Sequence, residues 1–154
     1  VNISKSRGWS DNRAAFALYA LGRLSLSAEP ELSLASFLEA SRLYRANPET
    51  QIQAAHVAMQ LAAFSLSAGQ ADGTIGLIDE VLPAVRRAEN AALLSTLLLL
   101  KAEAYELMGR SSEANAVRTE ALGWARYGFG SDAVVRARVS EISSLKPVRR
   151  TALN

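Results

Sequence analysis

Apolar residues recur at spacings of three and four along most of the chain, and short polar or Gly/Pro breaks interrupt them at regular intervals. That spacing puts apolar side chains on one face of an α-helix, whereas a strand would alternate with a period of two. Caps and breakers divide the pattern into seven predicted helices. The first covers about 11–27, with Ser10 or Asp11 as N-cap. Its apolar positions Phe16, Leu18, Tyr19, Leu21, Leu24 and Leu26 spread over more than one face, the pattern of a helix packed on two sides. Pro30 suits a first helical turn, and a second helix over 30–46 turns Leu34, Phe37, Leu38 and Leu43 inward. Asn47-Pro48 ends it and starts a third, which runs to Ala68 and is closed by Gly69. Asp72 is the expected cap of a fourth over 73–88, with a kink or break at the internal Pro83. Asn90 caps a fifth that ends at Met108-Gly109, and Ser111 or Ser112 caps a sixth reaching Tyr127. Ser131 caps a last helix over 132–145, stopped by Pro147, with 149–154 as a frayed tail.

No long linker or low-complexity run separates these elements, and no alternation is long enough for a sheet. The expected architecture is all-α: three antiparallel helix pairs and one closing helix. Residues 1–10 form an N-terminal arm, 11–146 the helical domain and 147–154 a flexible tail.

The stretch Leu97–Ala125, LLLLKAEAYELMGRSSEANAVRTEALGWA, carries the most specific motif. Leu98, Ala102, Tyr105, Gly109, Ala114 and Ala121 fall where a tetratricopeptide (TPR) hairpin has its large, small, Tyr, turn-Gly and small residues; Arg118 stands where an aromatic is usual. Aligning Gly69 with Gly109 gives a second copy, Ala58, Ala62, Ser65, Gly69, Thr74, Ile78 and Val81, which keeps the small residues of its first helix but lacks the Tyr and both later alanines. A third copy places Leu24, Ala28, Ser33, Phe37 and Ala40 in those roles. The turns are 41 and then 40 residues apart, against a usual unit of about 34. The chain thus resembles the TPR-like helical repeat family, in degenerate copies, over most of 14–127. The resemblance implies a right-handed superhelix of about three pairs with a C-terminal capping helix.

In that family the first helix of each pair lines a concave groove. The resemblance assigns the groove to Ala15, Leu18, Gly22 and Ser25, then His56, Met59, Ala63 and Leu66, then Thr96, Leu99, Glu103 and Glu106. Such a groove is mostly apolar with two acids at one end. Members that grip a C-terminal carboxylate use Lys, Arg and Asn at these positions, and this chain has none there. An apolar groove suits an amphipathic helix or an extended apolar segment, or the chain's own arm, Val1 to Trp9. The expected function is a non-enzymatic scaffold binding a protein or peptide through Leu18, His56, Met59, Leu66, Leu99, Glu103 and Glu106. The alternative is a regulatory or sensor arm of a larger bacterial protein, such as a transcriptional regulator. A homodimer through an apolar end face stays open.

Composition narrows the rest. The chain has 154 residues, 49% hydrophobic but only 6% aromatic, so Ala and Leu supply most of the apolar surface and favour close helix packing. Net charge is +2, too balanced for a nucleic-acid footprint, and acids interleave Arg118, Arg126, Arg136, Arg138, Arg149 and Arg150. Lys5, Lys101 and Lys146 are the only lysines, an Arg-over-Lys bias that fits a GC-rich bacterial genome. There is no Cys, which removes disulfides and thiolate chemistry and leaves cytoplasm and periplasm both open. Neither 91–100 nor 54–69 reads as a membrane span. His56 is the single histidine, without a local nucleophile and acid for a triad or partners for zinc. Glu103 with Glu106, and Asp79 with Glu80, read as solvated helix faces. Gly128-Phe129-Gly130 lacks the strand and the Lys-Ser/Thr ending of a phosphate loop and reads as a helix stop. Trp124, Tyr127 and Phe129 are expected to pack the last helix, with ligand stacking as the weaker reading. No cofactor or metal is expected.

Overall fold

The computed structural model describes residues 3–128 and the helical positions 136, 137 and 140. The described residues form six α-helices and no strand. They are α1 (Ile3–Ser25), α2 (Pro30–Arg45), α3 (Gln51–Ser67), α4 (Ala71–Arg87), α5 (Ala91–Leu107) and α6 (Ser111–Gly128), with a 3-10 turn, Pro48–Thr50, leading into α3. Of the predicted seventh helix only positions 136, 137 and 140 are described, and they are helical; its Ser131 cap, the Pro147 stop, the tail, Phe129 and the turn glycine Gly130 lie outside the described residues.

From α3 onward the helices begin at 51, 71, 91 and 111. Helices α3, α4 and α5 each have 17 residues, about 25 Å of rod at 1.5 Å per residue, and a three-residue turn completes each unit. The forty-residue spacing between Gly69 and Gly109 is therefore two units of twenty. The turns share one geometry. Gly69 and Gly109 have φ of +75° and +73°, where a Cβ is penalised. Gly69 N–H donates to Leu66 O and Gln70 N–H to Ser65 O, both at 2.9 Å; Gly109 N–H donates to Glu106 O at 3.0 Å and Arg110 N–H to Tyr105 O at 2.9 Å. These paired bonds satisfy carbonyls that the helix end leaves open. The turn between them has the same left-handed residue, but it is Glu89, at φ +54°.

The caps agree with the sequence at some ends and not at others. Pro30 opens α2, and the Asn90 side chain accepts from Leu93 N–H at 3.2 Å at the start of α5. Helix α4 begins at Ala71, so Asp72 sits in its first turn and is not its cap. Helix α6 begins at Ser111, where Ala114 N–H donates to Arg110 O at 3.0 Å. Helix α1 starts at Ile3, so Ser10 and Asp11 lie inside it and residues 3–10 are helix, not a separate arm. Pro83 does not end α4, which continues to Arg87. Pro83 and Asp79, whose carbonyl it leaves without a helical donor, both lie on the exposed side of the helix.

Successive helices pack on one another, most extensively within the pairs α1–α2, α3–α4 and α5–α6, and α3 also contacts α5. Helix α3 is the shared wall of two cores. Its Ala54, Val57, Leu61 and Phe64 join Ala15, Phe37, Ala40 and Tyr44. Its Ala55, Met59, Ala62, Ala63 and Leu66 join α4, α5 and α6. Ala114, Ala121 and Ala125 of α6 have no exposed surface, as the small-residue contact of the last hairpin requires. Every residue from Leu93 to Leu100 is buried, so that part of α5 is covered on all faces.

The repeat is also visible in ion pairs. Arg45, the sixteenth residue of α2, binds Glu80, the tenth of α4. Arg86, the sixteenth residue of α4, binds Glu120, the tenth of α6, at 2.5 Å and 3.1 Å. The Arg86 guanidinium holds the Glu120 carboxyl below its ordinary range against a burial effect of opposite sign, with a lesser contribution from the Trp124 N–H. Both pairs are largely solvated and add little stability; they mark equivalent positions in successive pairs.

Candidate functional site

Most of the groove positions implied by the resemblance are core. Met59, Leu66 and Leu99 are 5%, 9% and 6% exposed and share one hydrophobic cluster. Ala15, Ala63 and Thr96 are buried as well, and Thr96 Oγ donates to Ala92 O at 3.0 Å. Gly22 is buried against the ring of Phe37, and its carbonyl accepts from Ser33 Oγ at 2.6 Å. Ser25 Oγ donates to Leu21 O at 2.8 Å. Leu18 and His56 are half-buried, and only Glu103 and Glu106 are exposed. The structure therefore does not assemble these residues into an open apolar surface. The physical reason is that the central stretches of α3 (57–64) and α5 (93–100) are buried on every face, and Glu103 and Glu106 lie beyond that stretch towards the end of α5.

The candidate chemical groups are engaged separately. Arg118 binds Glu106 at 3.5 Å, Lys101 Nζ binds Asp79 at 2.7 Å, and Glu80 is held by Arg45. Asp79 and Glu80 thus belong to different partners and do not form a carboxylate pair. Burial, with the Arg23 charge as a second cause, pushes the His56 imidazole below its ordinary pKa, so it is neutral at pH 7. Among the described residues no group of three or more His, Cys, Asp or Glu converges as a metal site would require, and no helix is long and apolar enough to cross a membrane. Trp124 is half-buried against the main core and its Nε1 donates to Glu120 at 3.3 Å. Tyr127 is 87% exposed; Phe129, the third aromatic expected to pack the last helix, lies outside the described residues.

Two open concavities lie among the described residues. One, of about 290 Å³, lies where Arg45, Gln51, Glu80 and Arg87 meet. Its cations are occupied, Arg45 by Glu80 and Arg87 by the Gln51 side chain at 3.5 Å. The other, of about 170 Å³, is apolar and is formed by Leu34, Leu38, Leu61, Phe64 and Leu77 from α2, α3 and α4, with Ser65 and Gln70 at one end. Leu61 and Phe64 are its buried floor, and Leu38, 55% exposed, stands at its rim. This site was not evident in the sequence because Leu34, Phe37 and Leu38 all read as inward. Phe37 alone fills the space beside Gly22 and leaves Leu38 outside.

No protein-family model matches the chain, nor does any curated protein or solved structure.

Proposed function

We propose that this protein is a non-enzymatic, TPR-like helical-repeat scaffold that docks an apolar segment of a protein partner. The reading rests on the open depression between α2, α3 and α4, where Leu38 is exposed above a floor of Leu61 and Phe64. An amphipathic helix or extended segment would place one or two apolar side chains there, and Ser65 and Gln70 would orient its polar flank. The twenty-residue units and the equivalent Arg–Glu pairs support a stacked, preformed surface, which keeps the ordering cost of binding small. The expected binding surface is thus moved from Met59, Leu66 and Leu99, which are core, to Leu34, Leu38 and Leu77.

A displayed peptide library tests this. Selection on the wild-type chain should enrich sequences with apolar residues at helical or alternating spacing, and the enriched peptides should lose binding to a Leu38→Asp variant of unchanged melting temperature. Failure to enrich any sequence, or equal binding to the variant, would refute the reading.

A further inference from the structure

Helix α1 has the pattern of a helix packed on two sides, yet among the described residues one side only is covered. Ala15, Leu18, Tyr19 and Gly22 face α2 and the Phe37 core. On the opposite side Trp9, Phe16 and Leu24 are 72%, 68% and 83% exposed. They form one stripe, with Arg13 and Ala20 between them at intervals of three and four residues. Three large apolar side chains this exposed on one helix face indicate an interface and not scattered surface apolarity.

We infer that this stripe is the contact between two copies of the chain, joined about a two-fold axis through antiparallel α1 helices. The residues are self-complementary in that arrangement. With the axis between Phe16 and Ala17, Trp9 meets Leu24 of the second copy, Phe16 meets Ala17, and Arg13 meets Ala20. Each pair occurs twice, once on either side of the axis, as an isologous contact requires. At a shallow crossing angle of about 20° the whole stripe stays in contact over roughly four turns. No like charges meet, because Arg13 and its symmetry mate are separated by about 10 Å along the axis. Trp9, Phe16 and Leu24 expose on the order of 150 Å² each. With the Arg13 stem, Ala17, Ala20 and Leu21, two copies would bury roughly 1,200 Å², the lower bound of specific interfaces. The dimer is therefore of moderate affinity and depends on concentration.

Sedimentation equilibrium from about 5 µM to about 500 µM reads this directly. The mass should rise from 16.5 kDa toward twice that value. Phe16→Glu should raise the dimer dissociation constant by about 30-fold or more while leaving helix content and melting temperature unchanged. The absence of native Cys allows a register test. Ala17 lies within disulfide reach of its symmetry mate and Ala20 does not. Air oxidation should therefore cross-link Ala17→Cys and leave Ala20→Cys monomeric in denaturing gels. A 16.5 kDa mass at every concentration, as expected if the face serves a different protein, would overturn the inference. So would a dimer indifferent to Phe16→Glu, or equal cross-linking of both cysteine variants.

Discussion

Gly22→Ala should destabilise the fold although it replaces a helical glycine by the best helix former. In an exposed helix that exchange stabilises by about 1 kcal/mol. Here the added methyl would lie 2.6, 2.7 and 3.0 Å from Cε1, Cδ1 and Cζ of Phe37. The ring has nowhere to go: Phe37 has no exposed surface and stands between Tyr19 and Phe64, with ring centres 5.6 and 6.2 Å away. The alternative relief is to move α1 away from α2. That lengthens the 2.6 Å buried bond from Ser33 Oγ to Gly22 O, at a cost of about 1 kcal/mol or more. Overpacking of this kind costs about 1–3 kcal/mol. Taken with the bond and set against the propensity gain, the net destabilisation is about 2 kcal/mol. In a chain of this length that lowers the melting temperature by about 4–8 °C. Urea unfolding of Gly22→Ala, Phe37→Leu and the double variant gives the coupling. The double variant should be more stable than the sum of the single changes implies, because the smaller side chain vacates the clash. A Gly22→Ala protein more stable than wild type would refute the close approach of α1 and α2.

Further outcomes follow from the same packing. Glu89→Gly should stabilise by about 0.5–1 kcal/mol in urea unfolding, because relief of its positive φ outweighs the greater freedom of glycine in the unfolded chain. Leu99→Asp should abolish cooperative unfolding, whereas Leu38→Asp should leave the melting temperature within a degree or two, since the first side chain is core and the second is at a rim. The His56 pKa is depressed in the fold, so the unfolded chain takes up the proton first as pH falls. Stability is then complete above the unfolded value of about 6.5 and declines as pH drops from there toward the lowered folded value. His56→Gln should flatten that decline in thermal melts between pH 7 and 5; an unchanged slope would assign it to other groups.

The helices were legible because each turn leaves a local mark. Gly69 and Gly109 stand at left-handed positions, Asn90 caps α5, and Pro30 opens α2. The twenty-residue unit was hidden because Glu89 occupies the middle turn, and nothing in its chemistry announces a positive φ. The start of α1 was misplaced because Ser10 and Asp11 are good caps, but a helix already nucleated upstream continues through them, adding a hydrogen bond for each residue. The Arg45–Glu80 and Arg86–Glu120 pairs recur at the repeat spacing and could have been aligned from the sequence as a further sign of equivalence. The site was not legible. Mapping by family position presumes that one side of each first helix faces solvent, and the stretch Leu93–Leu100, in which only Ser95 and Thr96 are polar, already argued otherwise. Which of Leu34, Phe37 and Leu38 remains outside depends on Gly22, a residue of another helix, and long-range fit of that kind leaves no periodic trace.

Methyl-resolved NMR tests the location of binding most directly. A peptide selected on the wild-type chain is titrated into protein labelled at its leucine methyl groups. Shifts concentrated at Leu34, Leu38, Leu61 and Leu77 are the predicted result. Shifts confined to Leu18, Leu66 and Leu99, with Leu38 unmoved, would contradict the account and return the binding surface to α1, α3 and α5.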